Sequence, residues 1–307
     1  MLESLVKYDE VEKHPWTMFL WAMLLSSIGI LLSFQLNFEI TIAQTTTVNL
    51  TGLFAVLFSL IPSIHFLTVF INKQEKMDEK DIAKHYEKGF WMRHDKDVVI
   101  FLYYFFGLTF AFAFWALVMP AGTFQMQMLE IQKIRAMAGN ILMGLAGGET
   151  QLISFARVLL NNLQVMGFAF VFSLLFGAGA VFVIVWNASI LGVYVGRLSK
   201  TIFHIPGEML TFLPHGIPEI SGYVLAGIAG GIISAAIIRG HKKEIVMKVI
   251  FDAMKLLGIA ILFVFLGALI ETMDMTVKFI SIFIFYTIFI YIITIAVTPF
   301  NEKGKKK

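Results

Sequence analysis

Seven stretches of this chain are apolar for long enough to cross a bilayer as a helix: residues 16–36, 50–71, 98–119, 163–186, 220–238, 249–270 and 277–297. One such crossing takes about 20 residues. An interruption stands between the fourth and the fifth. From Ile205 to Ile220 the chain reads IPGEMLTFLPHGIPEI, which sets three prolines, two glycines, two glutamates and a histidine among the apolar runs. Proline removes a backbone donor and breaks a helix, and carbonyls freed at membrane depth need protein or water as partners. The pattern predicts irregular backbone here, and with it a candidate site.

Two segments fall outside the apolar runs. Residues 72–97 carry seven basic and seven acidic side chains, which predicts a solvated connector with a short helix over 81–88 and, as a second reading, a docking surface. Residues 121–162 place Leu129, Ile134 and Met137 at helical spacing with polar residues between. They read as helices lying in the membrane interface, broken at Gly139, Gly144, Gly147 and Gly148, or as a lid or oligomer contact.

Composition narrows the class. Mean hydropathy is +0.80 and charged residues are 15%, well under the roughly 25% of soluble domains, so the chain is an integral membrane protein. With no cysteine, disulfides, thiolate catalysis and cysteine-bound zinc are excluded. The net charge of +3 is read through the placement of Lys and Arg, which sets topology, and no nucleic-acid partner is expected. Seven crossings would put the two lysine-bearing ends on opposite sides. If residues 187–213 form an eighth, broken or re-entrant crossing, 19 of the 24 Lys and Arg fall inside and three outside, with both termini cytoplasmic at the plasma membrane. Alternatively the fourth span runs on to about Gly196 and leaves 201–219 as a re-entrant hairpin. No secretory signal is read, because the first 15 residues are charged and 16–36 is too long for an h-region. The expected fold is an all-α polytopic transmembrane bundle forming a single membrane domain. Its parts are three N-terminal spans (16–119), an external interfacial segment (120–162), a Gly-rich core (163–240) and two C-terminal spans (249–297).

Candidate chemistry gathers in that core. His204 with Glu208, and His215 with Glu219, are spaced by four, as a metal pair or proton relay on one helix face would need. Pro206 interrupts the first pair and Gly216 and Pro218 the second, so hydrogen bonding or capping is the first reading, and no metal or cofactor is expected. A carboxylate inside a membrane is costly and marks function by default. Glu219, at the expected start of the Gly-rich span, also reads as a cap on free backbone amides. Asn187 and Tyr194 suit helix packing, His65 beside Pro62 a neutral hydrogen-bonding role, and Asp252 with Lys255 an ion pair. Gly192 with Gly196, Gly222 with Ala226 and Gly230, and Gly227 with Gly231 are small-residue faces that let helices approach closely; Gly167, Gly177 and Gly179 do similar work. Enzyme signatures are missing: no HExxH, no GxSxG, no P-loop and no intramembrane aspartate pair. An acid/base hydrolase built on His215 and Glu219 is the one enzymatic reading left.

The series Asn161-Asn162, Gly177, Asn187, Gly192, Gly196, then Pro214-His215-Gly216, Glu219, Ala226, Gly227 and Gly230 resembles the stage II sporulation protein M family. The likeness covers about residues 155–240 and is most specific at PHGIPE; Ala188 stands where the family usually has Gly. The resemblance implies a membrane scaffold that recruits enzymes or other proteins at the membrane. Expected partners are the lipid bilayer, a membrane or extracytoplasmic protein and a second copy of the chain. The competing function is a channel or transporter for a small solute, ion or lipid, with Glu219, His215, Asn187 and Tyr194 along the broken segment 187–219.

Overall fold

A computed structural model describes residues 13–42, 46–64, 91–134, 151–177, 179–240 and 243–273, together with Val11. His65, the charged connector up to residue 90 with its helix over 81–88, the glycine breaks at 139–148 and the span at 277–297 lie outside the described residues.

The helices are α1 (Thr17–Leu36), α2 (Thr51–Ile64), α3 (Trp91–Val118), α4 (Gln151–Phe176), α5 (Ala180–Leu198), α6 (Ile205–Leu210), α7 (Leu213–Ile238) and α8 (Lys243–Thr272). Six of them, all but α2 and α6, are long and apolar enough to cross a membrane. Between α1 and α2 an antiparallel hairpin pairs β1 (Glu39–Ile42) with β2 (Thr46–Asn49), Ile40 opposite Val48. The β-branched run from Thr45 to Val48 favours it.

Two expectations change. The single span at 163–186 is two helices, because the chain turns at Gly177, whose φ of 71° is left-handed and costs glycine nothing. Ser173 secures the turn, its Oγ accepting from the Ala180 N–H at 2.9 Å. The turn is apolar and small, so it interrupts no hydrophobic run. The proline-rich stretch, in turn, is largely helical. Pro214 occupies the first turn of α7, where its missing N–H leaves no bond unmade, and only Pro218 lies inside the helix. The irregular backbone shrinks to 199–204, with one 3₁₀ turn (Ile202–His204), and to the joint at Thr211 and Phe212. Asn187 sits in unbroken α5.

Helix directions follow from side-chain neighbours. Asn162 meets Glu219, and Leu174 lies under Gly230, so α4 and α7 run parallel. Gly222 faces Val264 and Ala260 while Glu219 faces Gly267, so α8 runs antiparallel to α7. Phe101 neighbours Val181, and Thr109 faces Gly192, so α3 and α5 run parallel. α7 is the central helix: 89% of its spanning window is buried, against 22% for α4. Its run of Gly, Ala and Ser permits this, because without bulky side chains in the way the helix backbones themselves can meet.

Candidate functional site

The most polar meeting point inside the bundle joins α4, α7 and α8. Asn162, only 6% exposed, donates from Nδ2 to Glu219 Oε1 at 2.8 Å and accepts the Tyr223 hydroxyl on Oδ1 at 3.0 Å. Glu219 and Tyr223 are four apart on α7, so one helix face presents both to a single amide. On the third side, α8 comes within reach because residue 267 has no side chain. A Cβ there would run into the Glu219 Cγ and stand 3.1 Å from both its Oε1 and the His215 carbonyl oxygen. Glu271 stands one turn further along α8. Asn162 thus bonds α4 to α7 twice, with α8 packed closely against Glu219 at Gly267.

His215 and Glu219 share a continuous helix, as the four-residue spacing requires, despite the intervening Gly216 and Pro218. The Glu219 carboxylate, however, is not a cap: α7 begins at Leu213, six residues earlier, and the acceptor faces α4 rather than free amides. From His215 an aromatic path runs to α5, with Phe212 against the His215 ring at 5.9 Å and Tyr194 edge-on to Phe212 at 5.6 Å. Asn187 stands apart, its Nδ2 bonded to the Val183 carbonyl one turn back in α5. The other His/Glu pair is also separate. His204 pairs with Thr201 at 2.8 Å on the exposed connector, and Glu208 lies in α6. Pro214 and Gly216 shape the start of α7. The small residues pack within the chain: Gly192 on Thr109 and Phe112, Gly196 on Ala113, Gly222 on Ala260 and Val264, Gly227 on Ala180, Gly230 on Phe170 and Leu174; Ala226 and Gly231 are buried in α7. Asp252 and Lys255 form an ion pair at 2.8 Å.

A second polar anchor lies where the sequence predicts an interfacial helix. Residues 121–134 fold back on the bundle, with Phe124 fully buried against Phe112. Gln127, also fully buried, donates to the Gly52 carbonyl at 2.9 Å and the Ser189 hydroxyl at 3.3 Å. The Asn49 N–H donates to Gln125 Oε1 at 2.6 Å, tying in the hairpin. Leu129 and Ile134 are on the exposed side, and residues 151–162 belong to spanning α4.

The model of the family described as stage II sporulation protein M matches residues 99–273. The chain belongs to that family. In this member the match takes in α3 and α8 as well as the 155–240 segment of the sequence likeness, so the third span belongs with the core. An uncharacterised protein of Methanocaldococcus jannaschii is 31% identical over 124 residues, which is 38% of this chain and 68% of that protein. No solved structure matches. With six spanning helices and this family, the chain is a multi-pass membrane protein.

Sequence reasoning reaches Asn162 only through the family series, and it does not reach Tyr223, Gln127 or Gly267 as members of a site. For Asn162 the signal is present but hidden. A fourth span that starts at residue 163 leaves both asparagines outside the membrane, whereas α4 begins twelve residues earlier.

Proposed function

We propose that the protein is a non-enzymatic scaffold of the plasma membrane that binds a membrane or extracytoplasmic protein at its outer side. The observation that carries this reading is the way polar groups inside the bundle are used. Asn162 bonds both Glu219 and Tyr223, Gln127 bonds Gly52 and Ser189, and the space beside Ser173 and Gly227, between α3, α4, α5 and α7, is an apolar void of about 10 Å³. That is room for one water at most. Such bonds fix helices rather than line a path.

The turn at Gly177 also revises the topology. If α4 and α5 cross separately, and the hydrophobic pattern supplies crossings at 50–71, of which α2 is the first part, and at 277–297, the crossings number eight with α1, α3, α7 and α8, and both termini would be cytoplasmic. Arg197 and Lys200 move outside. Seventeen of the 24 Lys and Arg then lie inside and five outside, still in accord with the positive-inside rule. The outer side would present the hairpin, residues 121–134 and the connector 199–212, where Phe203 is 89% exposed and Leu210 62%.

The test is a pair of measurements on the full chain: photocrosslinking from Phe203 in native membranes, and ion flux in proteoliposomes. A discrete adduct from Phe203, absent when the crosslinker replaces Leu262 on α8, supports the scaffold. Flux that Glu219→Gln abolishes overturns it in favour of transport. That competing reading draws on the half-buried Glu219 carboxylate within a spanning helix.

A further inference from the structure

The rest of the chain covers α4 least among the six spans, and its open face is not purely apolar. Asn161, Gln164, Phe168, Val171 and Leu175 are all exposed and recur at alternating three- and four-residue steps, which sets them in one stripe. The two carboxamides fall in the middle third of the 25-residue apolar window Leu152–Phe176. Asn161 has one long contact, 3.4 Å to Asn162 Oδ1, and no hydrogen bond is made by Gln164 among the described residues. An amide left unbonded in hydrocarbon is unfavourable by several kcal/mol in alkane-like media. Beside the stripe, a Cβ on Gly167 would have no atom within 4 Å, so nothing among the described residues calls for glycine there. A neighbouring helix would.

We propose that this stripe is the seam of a homodimer, with α4 packed against α4 of a second copy. A carboxamide is both donor and acceptor, so Asn161 and Gln164 are complementary to themselves. Two copies inserted with the same topology are related by a two-fold axis along the membrane normal, and residues near that axis meet their own counterparts. Asn161 then gains a shorter bond than its 3.4 Å contact to Asn162, Gln164 gains a partner that the described residues do not give it, and Phe168, Val171 and Leu175 continue the contact with apolar packing. Glu219 and Tyr223 lie on the other side of Asn162 and take no part.

The chain has no cysteine, so single substitutions report cleanly. Phe168→Cys, Val171→Cys and Leu175→Cys are oxidised in native membranes beside Leu262→Cys, which is equally exposed but on α8. The expected result is a cross-linked species of twice the chain mass from all three stripe positions, at least tenfold weaker from Leu262. Adding Asn161→Leu and Gln164→Leu to Phe168→Cys should lower that cross-link about tenfold, from two amide pairs at roughly 0.6–1 kcal/mol each. Cross-linking at Leu262 as strong as on the stripe, adducts to a different protein in place of the doubled mass, or an F168C cross-link undiminished by the two leucines would each overturn the proposal. Should the triple variant fail to accumulate, the comparison of stripe positions with Leu262 decides alone.

Discussion

Truncating Asn162 to alanine removes the one side chain that bonds α4 to α7 at both Glu219 and Tyr223. The Tyr223 hydroxyl, on a residue 4% exposed, loses its acceptor, a loss of about 1 kcal/mol. The bond to Glu219 is charge-assisted and in a fully buried setting would be worth about 1.5–3 kcal/mol. Glu219 is only half-buried, and hydrogen bonds between membrane helices average nearer 0.6 kcal/mol, so about 1 kcal/mol is the appropriate share. The sum is a destabilisation of about 2 kcal/mol. Asn162→Asp should be worse, because it keeps the volume but sets a carboxylate oxygen at the position of Nδ2, 2.8 Å from Glu219 Oε1. Glu219→Gln, which retains a carbonyl acceptor, should be mildest. The assay is reversible unfolding of the purified protein in mixed micelles, followed by tryptophan fluorescence. If Asn162→Ala unfolds within about 0.5 kcal/mol of the native chain, or if Asp is better tolerated than Ala, the cluster does not hold the helices together.

Gly267→Ala should destabilise by about 1–3 kcal/mol through overpacking against Glu219, while Gly167→Ala, which meets nothing within 4 Å, should leave monomer stability within about 0.5 kcal/mol; thermal unfolding of both in detergent checks the contrast. Gln127→Leu removes the bonds to the Gly52 carbonyl and the Ser189 hydroxyl and should cost about 1 kcal/mol, releasing residues 121–134 so that their amides exchange faster by hydrogen–deuterium exchange. Gly177→Ala must take a left-handed φ of 71° and should cost about 1–2 kcal/mol, seen as a lowered melting temperature rather than a changed oligomer.

Most of the architecture is legible in the hydrophobic pattern, since length and apolarity alone select α1, α3, α7 and α8 to within a few residues at most ends. The pattern fails where geometry is set by residues without polarity. Gly177 turns the chain by its φ, and a turn made of Gly and Ala looks as apolar as the helices on either side. Proline misleads in the opposite sense: Pro214 reads as a break but stands in the first turn of α7, where proline is well accommodated. The site follows the same logic. Glu219 is legible because a carboxylate in an apolar run is expensive, but its partner depends on which helix lies alongside, and nothing local to Asn162 encodes that. Gly267 is less visible still, since its role is the side chain it lacks. Gln127 reads, with its polar neighbours, as part of an interfacial face, although burial on both sides makes it an anchor.

If the interior around α7 is dry and closed, with its polar groups spent on holding helices, no reagent from water should reach it. Because the native chain contains no cysteine, accessibility to a membrane-impermeant maleimide tests this directly at Ser221→Cys, Ala226→Cys and Ser234→Cys, with Phe203→Cys as the exposed reference. The expected result is rapid labelling at residue 203 and none at the three α7 positions until the protein is denatured. Labelling of residues 221, 226 and 234 in intact membranes would mean a water-filled path along α7, and the scaffold reading would give way to transport.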